Sequence, residues 1–588
     1  MLGLATCAAC AGIHRKAPEP AAPQSFYTVT GEIALARHQP RVAALQYAAA
    51  AANDTDLGLL QRAADVAAES LQPSLAEQIA ARWTELDPKS VEAQRAAGRA
   101  ALALHKIGKA AAHYHFVLVS SPLGTDAEFA ALEAELGGNE NIFGARQLAD
   151  RLALSFPSSA GAMRVQGFTA LRADDPAAAV QSFTAALALL PARDAHAPGT
   201  GDKTGTGDKT DTGGKADTGD EAENTRRDLQ QSLARARIMA GDAEAPLAQA
   251  QDKVQHEDTP VNRLDYALLL MTAQRDSAAS QQLEALVHNS EYAPVALRLL
   301  GLVEFQEGHL DAATLRFAEL VRADKYMDDA FYYLGLIADR NNDPEHALRL
   351  YAQVQNGENV LPALLRATTL LERHGAAAAG EELLDRLIED EPQRAPEILA
   401  ARARMYADSG DLARAVTLLD SGVMEYPDSP DLRYARASTY EEQGQVGAAL
   451  HELTRLVHTR PDDPAALNAL GYTLADHSRD LPRARRLIER AHAAAPKNAA
   501  ILDSLGWVLF RQGHSAEAES FLRVAYAEDR GGDIAAHLGE VLWQLGRPAD
   551  AEHIWAEAAV VDDDNRLLKS TRQRLHAAPP ALPHAAAN

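Results

Sequence analysis

The 34 residues from Pro396 to Ser429 decide the fold, and they read PEILAARARMYADSGDLARAVTLLDSGVMEYPDS. From Ile398 to Tyr406, apolar and small residues recur at the spacing of one helix face, and Gly410 is a turn signal. A second apolar series containing Leu419 follows and stops before Pro427, since proline lacks the N–H that a helix interior requires. The segment therefore predicts two helices joined by a tight turn.

The same 34-residue unit recurs along the chain. Prolines mark its first position at Pro260, Pro294, Pro362, Pro396, Pro430 and Pro464, and Asp328 occupies the one missing place. A pair of helices of this length cannot bury its apolar face alone, so the units must stack on one another. The period therefore predicts a helical solenoid.

This pattern resembles the tetratricopeptide repeat family, and the unit that begins at Pro464 matches the signature of the family well. Its signature residues are Leu467, Leu470, Gly471, Leu474, Ala484, Ile488, Ala491 and Pro496. The resemblance implies an all-α fold, a right-handed superhelix of about fifteen units from roughly Gln24 to Asp564. We expect one interruption by a disordered insertion.

Composition divides the chain into seven predicted segments. These are a truncated lipoprotein signal peptide (1–10), a Pro/Ala-rich tether (11–23), an N-terminal arm (24–191), an insertion (192–224), a C-terminal arm (225–564), a capping helix (565–577) and a disordered tail (578–588). The insertion is rich in Gly, Thr, Asp and Lys and has no apolar face to bury, which predicts disorder. It is not a phosphate-binding loop, because Gly201 and Gly207 are each followed by Asp.

The only two cysteines, Cys7 and Cys10, lie in a short run of small residues at the N-terminus. This run resembles the end of a bacterial lipoprotein signal peptide. Cys10, preceded by two alanines, is the favoured lipidation site, and Cys7 is the alternative. The run is short and no basic residue precedes it, so a cytosolic protein is the other interpretation.

Charge and motifs argue for binding rather than catalysis. The net charge of -25 and the lack of a basic stripe argue against a nucleic-acid partner. His113 and His115 point to different sides of a helix, which argues against a metal site there. We expect no enzyme activity, no cofactor and no small-molecule substrate. We expect the partners to be proteins, and we expect contact with a membrane only through an N-terminal lipid.

In tetratricopeptide proteins the first helix of each pair lines a concave groove that binds partners. In the three best C-terminal units, the inward positions are Asn468, Tyr472, Asp476, Asp503, Trp507, Phe510, Arg511, Asp533, Glu540 and Trp543. Upstream, the corresponding positions are Tyr332, Asp339, Arg366, Arg373, Arg404 and Tyr434. Aromatic and fixed polar groups are typical of interface hot spots. The alternative is that some of the aromatic side chains only pack between neighbouring units.

Three C-terminal stretches are similar to one subfamily of long proteobacterial tetratricopeptide lipoproteins. They read LNALGYTLAD (467–476), ILDSLGWVLF (501–510) and DIAAHLGEVLW (533–543). The resemblance implies attachment to the inner leaflet of the outer membrane and a role as adaptor. The adaptor would bring a periplasmic carboxyl-terminal processing protease to peptidoglycan hydrolases. The alternatives are a scaffold for envelope secretion or exopolysaccharide machinery, and a cytosolic interaction protein.

Overall fold

The computed structural model describes residues 24–139, 141–190, 218–561 and 565–577. Cys7, Cys10, the predicted tether, most of the predicted insertion and the predicted tail lie outside these residues. Within them the chain forms thirty-one α-helices and one short 3₁₀ helix, Pro392–Arg394, and no strand. None of the helices in this part of the chain has the length and apolarity that a bilayer span requires.

The helices follow one another in fifteen pairs and end with a single helix. The first ten are α1 Gln24–Ala36, α2 Pro40–Ala51, α3 Leu57–Glu69, α4 Pro73–Leu86, α5 Val91–Ala103, α6 Ile107–Ser120, α7 Thr125–Gly137, α8 Ile142–Ser155, α9 Ala160–Arg172 and α10 Pro176–Leu189. The next ten are α11 Thr218–Met239, α12 Glu244–His256, α13 Pro260–Thr272, α14 Asp276–Glu284, α15 Ala293–Gln306, α16 Leu310–Arg322, α17 Met327–Arg340, α18 Pro344–Tyr351, α19 Val360–Arg373 and α20 Ala377–Asp390. The last eleven are α21 Ala395–Asp408, α22 Leu412–Glu425, α23 Pro430–Glu442, α24 Val446–Thr459, α25 Pro464–Asp476, α26 Leu481–Ala494, α27 Ala499–Arg511, α28 Ser515–Glu528, α29 Gly532–Gln544, α30 Pro548–Val561 and α31 Arg566–Ala577.

Local sequence explains where the helices begin and turn. Pro430 and Pro464 are the first residues of α23 and α25, where a missing N–H costs nothing. Ser429 caps α23 by accepting a hydrogen bond from the backbone N–H of Leu432. The turn between α21 and α22 places Gly410 at a φ of +91°, a conformation that a side chain would strain. The predicted all-α solenoid is confirmed.

The two helices of a unit pack by inserting a large side chain opposite a glycine. Gly506 of α27 faces Leu522 of α28, and a Cβ on the glycine would lie 2.5 Å from Leu522 Cγ. Gly539 of α29 has the same relation to Trp555 of α30, which is completely buried. The small residues of the repeat signature therefore set the distance between the paired helices.

The stacking continues across the predicted insertion. Helix α11 begins at Thr218, seven residues before the predicted start of the C-terminal arm at 225. Its Leu229 and Ala236 share one apolar cluster with Phe183 and Ala186 of α10. Because α10 and α11 are in contact, the two arms form one continuous stack.

First helices of neighbouring units contact each other in the C-terminal arm, as α21 does with α23 and α25 with α27. The second helices of these units are farther apart. The stack therefore curves with its first helices on the inner side, which places the predicted groove positions along the inner face.

Candidate partner-binding surfaces

A cluster of polar and aromatic side chains joins three successive first helices, α25, α27 and α29. His537 lies at its centre and is almost completely buried. Its Nδ1 is 2.9 Å from each carboxylate oxygen of Asp503, and its ring stacks on Trp507 with centroids 4.2 Å apart. The Tyr472 hydroxyl is 3.4 Å from Nε2 of the same ring. The imidazole thus connects all three helices.

The charges around His537 favour its protonated form. Burial acts to lower the pKa of His537, but the adjacent carboxylate of Asp503 and the more distant ones of Asp476 and Asp533 outweigh it and raise the pKa above its ordinary value. Burial raises the pKa of the Tyr472 phenol, and the same three carboxylates raise it further. The surroundings of the cluster therefore favour an imidazolium paired with the Asp503 carboxylate and disfavour ionisation of the Tyr472 phenol.

Asp476, at the outer end of this cluster, accepts hydrogen bonds from both Trp507 and Arg511. The indole Nε1 of Trp507 donates a hydrogen bond to Asp476 Oδ1 at 3.1 Å. Nη1 of Arg511 donates to the backbone oxygen of Asp476 at 2.6 Å, and the guanidinium lies 5.4 Å from the centre of the Trp507 ring. These contacts fix the side chains in place before any partner arrives.

Four predicted groove residues are buried rather than presented to a partner. The exposed fractions are 6% for Asp503, 5% for Trp507, 9% for Phe510 and 7% for Glu540. Glu540 accepts a hydrogen bond at 2.5 Å from Arg574 of the final helix α31. In this conformation these side chains stabilise the stack of units, which differs from the expectation of an open groove.

The final helix covers much of the last unit. Trp543 is half-buried, with its ring 5.8 Å from Trp555 and 5.5 Å from His576 of α31. Its indole Nε1 is buried without a hydrogen-bond partner. The predicted residue Asp533 is exposed and accepts a hydrogen bond from Asn565 at 3.0 Å. Asn468, on α25, is half-buried, and its Oδ1 has no hydrogen-bond partner.

The groove is more open in the middle of the chain. Arg366 and Arg373 of α19 and Arg404 of α21 are exposed. Arg366 lies 3.9 Å from Asp339 of α17, and Tyr332 on the same helix is half-buried beside Tyr351. This stretch presents three guanidinium groups on two neighbouring first helices. We call Arg366, Arg373 and Arg404 the arginine surface.

The two arms also touch each other at residues far apart in the sequence. Gln72 Nε2 donates a hydrogen bond to the backbone oxygen of Glu425 at 2.8 Å. Nη2 of Arg460 donates to the backbone oxygen of Ala103 at 2.5 Å. The solenoid therefore curves far enough for its N-terminal and C-terminal arms to meet.

A cavity of about 620 Å³ lies between the arms. Its N-terminal wall includes Leu71 and Phe143, and its C-terminal wall includes Tyr426 and Tyr434. The Tyr434 hydroxyl is buried without a hydrogen-bond partner, and burial raises the pKa of this phenol. Tyr434, predicted to lie in the groove, thus lines a space shared by both arms.

His537 is not among the predicted groove residues, although the sequence contains a signal for it. His537 follows Asp503 by 34 residues, one full period, so the two residues occupy the same place on successive first helices. A search for opposite charges one period apart would have paired them. In contrast, His113 and His115 have separate neighbours, Gln94 and Phe156. No cluster of three potential metal ligands occurs in the described part of the chain.

Comparison with known proteins agrees with the repeat pattern. Residues 406–471 match a family model described as tetratricopeptide repeat, and residues 475–533 and 504–566 match another with the same description. The TPR repeat-containing protein PA4667 of Pseudomonas aeruginosa is 33% identical over 214 residues, a match spanning 36% of this chain and 36% of that relative.

One solved structure with this type of repeat is TTC0263, a thermophilic TPR protein of Thermus thermophilus. It is 22% identical, with a TM-score of 0.28, and the match covers 31% of this chain and 97% of that chain. The family models carry the assignment, because they match consecutive units of the helical pairs described above. Residues 406–471 and 475–566 are therefore similar to tetratricopeptide repeats, and the described residues form an all-α solenoid of helical pairs.

Proposed function

We propose that this protein is a non-enzymatic scaffold that binds other proteins along the inner face of its solenoid. The observation that carries the proposal is the arginine surface on α19 and α21, where three guanidinium groups are exposed. Arginine forms paired hydrogen bonds with carboxylates and is enriched in interface hot spots. The partner segment that suits this surface is acidic.

The specific role we propose is that of an adaptor for a periplasmic carboxyl-terminal processing protease. A long preformed surface can bind a protease and its substrate at separate stretches, which raises the concentration of each near the other. The substrates would be peptidoglycan hydrolases. The similarity of the C-terminal units to outer-membrane lipoproteins supports this role.

Reconstitution tests the adaptor role directly. The full chain is mixed with a purified carboxyl-terminal processing protease and a peptidoglycan hydrolase from the same organism, and the rate of hydrolase cleavage is measured. We expect the chain to increase the rate by on the order of tenfold or more, as tethering does. We expect Arg366→Glu combined with Arg404→Glu to remove most of this increase.

The matched control is Arg349→Glu, because Arg349 is also exposed but lies on a second helix, α18. Equal loss in both variants would show a general charge effect and contradict a role for the arginine surface. If the wild-type chain binds the hydrolase but does not change its cleavage rate, the adaptor role is contradicted. The proposal of a protein-binding scaffold would still hold.

The adaptor role places the protein at the periplasmic face of the outer membrane, held by a lipid on Cys10. Metabolic labelling with an alkyne-bearing fatty acid tests this location. We expect label on the wild type and on Cys7→Ser, and none on Cys10→Ser. Label that persists on Cys10→Ser would contradict attachment at this residue.

A further inference from the structure

The cavity between the arms has an apolar wall and an excess of acidic side chains. Its two basic residues are already paired within their own arms. Arg99 is 3.1 Å from Glu135, and Arg460 is 3.3 Å from Asp463. A third lining carboxylate, Glu397, is paired with Arg394 at 2.9 Å, so the carboxylates that keep no direct ion pair in the described part of the chain are fewer than the lining alone suggests.

Two carboxylates, one from each arm, line this cavity without a direct hydrogen bond or ion pair in the described part of the chain. Asp65 of α3 and Asp431 of α23 form no hydrogen bond or ion pair within the described part of the chain. Water reaches both of them, so a ligand can too. Loss of hydration at the cavity wall raises the pKa of the Asp431 carboxyl group, and the nearby charge of Arg460 offsets this rise only in part. A bound cation would offset that loss of hydration.

Aromatic and aliphatic side chains complete the lining. Leu71 and Phe143 of the N-terminal arm are partly buried against apolar side chains of the C-terminal arm. Tyr426 and Tyr434 also line the cavity, and the Tyr434 hydroxyl lacks a hydrogen-bond partner. Tyrosine faces attract a cationic side chain, and aliphatic neighbours suit the apolar residues beside it. The volume of about 620 Å³ is that of a pocket for a short segment rather than a domain.

We propose that the cavity between the arms binds a short peptide segment in which a lysine or arginine lies among apolar residues. The cation pairs with Asp431 and Asp65, and the apolar residues contact Leu71 and Phe143. This inference rests on the proposed function in one respect, that the ligands are proteins. It adds a second site of opposite charge preference to the arginine surface.

A fluorescein-labelled hexapeptide of alternating leucine and lysine tests the proposal with the full chain. Fluorescence anisotropy gives its Kd. We expect replacement of the lysines by glutamate to weaken binding more than tenfold, and replacement of the leucines by alanine to weaken it about tenfold. Equal binding of the alanine peptide would show a purely ionic attraction and overturn the proposal, as would full displacement by an equal concentration of spermidine.

Variants locate the peptide. We expect Asp431→Asn and Asp65→Asn each to weaken binding about fivefold, with unchanged helicity by circular dichroism. Asp311→Asn is the matched control, because Asp311 is an exposed residue in the first turn of α16, far from the cavity lining. Equal Kd values for all three variants would overturn the proposal. A benzophenone on the peptide should crosslink to Leu71 or Phe143, and crosslinks confined to other helices would also overturn it.

Peptide affinity and hydrolase cleavage report on different claims. If the cavity variants lose peptide binding while the adaptor assay fails, the peptide site stands and the adaptor role does not. If cleavage is accelerated but the peptide binds without regard to Asp431, the adaptor role stands and the peptide site does not.

Discussion

At the residue scale, the buried pair of His537 and Asp503 matters most to the C-terminal arm. Two first helices, α27 and α29, contribute one partner each, and the pair is shielded from water by Trp507. Removing one partner of a buried pair costs about 3–5 kcal/mol, because the remaining charge is left uncompensated. The contact between these units therefore depends on the protonation state of one imidazole.

The stability of this region should fall as the pH rises. The pKa of His537 is higher in the folded chain than the value of about 6.5 in an unfolded one. The stabilisation is therefore complete below about pH 6.5 and is lost as the pH passes through the folded value. We expect faster hydrogen exchange in α27 and α29 at pH 9 than at pH 6, after correction for intrinsic rates.

Asp503→Asn should exchange quickly at both pH values, because its amide cannot stabilise an imidazolium. His553→Gln is the control, since this histidine is largely exposed on α30. If His553→Gln removed the pH dependence and Asp503→Asn kept it, the assignment to His537 would be wrong.

The sequence predicts which residues lie on the inner face, but it does not predict how exposed each of them is. The template places Trp507 and Asp476 on the inner face, and the structure joins them by a hydrogen bond. The repeat pattern does not predict that Trp507 is only 5% exposed, because its burial depends on the neighbouring units and on His537. Whether any groove residue binds a partner stays a prediction.

At the element scale, the close approach of paired helices depends on glycine. A Cβ at Gly539 would collide with the indole of Trp555, which is fully buried. In the same way, Gly471 of α25 faces Ile488 of α26. These contacts repeat with the period, so they were predictable from the positions of the small and large residues alone.

Gly539→Ala should destabilise the last unit by about 1–3 kcal/mol, because the extra methyl group overpacks α29 against α30. Urea unfolding followed by tryptophan fluorescence measures the effect, since Trp543 and Trp555 lie in this unit. Gly447→Ala is the control, because a Cβ at Gly447 of α24 meets no atom within 4 Å. We expect this control to be neutral or to stabilise by less than about 1 kcal/mol.

A midpoint for Gly539→Ala equal to that of the wild type would show that Trp555 can move aside. A loss of stability in Gly447→Ala as large as that in Gly539→Ala would indicate a general cost of alanine and not a collision at the helix crossing.

At the scale of the whole molecule, the arms meet through contacts that no repeat template contains. Arg460 binds the backbone of Ala103 across 357 residues, and Gln72 binds that of Glu425 across 353. Each unit is rotated slightly relative to the one before it. The total rotation along the stack decides whether the two arms touch. The sequence predicts each unit well and this closure not at all.

Arg460→Ala should loosen the closure. A hydrogen bond from a charged group contributes about 1.5–3 kcal/mol, so the population with separated arms should rise by roughly 10- to 150-fold. Small-angle X-ray scattering should show a larger radius of gyration, and hydrogen exchange should accelerate in α5. Arg485→Ala removes an exposed pair with Glu489 on α26 and should change neither. An unchanged radius in Arg460→Ala would show that other contacts suffice.

The separation of 357 residues between Ala103 and Arg460 also sets a waiting time during synthesis. A ribosome adds about 5–20 residues per second, so Ala103 emerges roughly 20–70 s before its partner exists. Throughout that interval Leu71 and Phe143 face water on a growing chain. The nascent N-terminal arm must therefore remain soluble on its own, or be shielded by a chaperone, long before the two halves of the cavity come together.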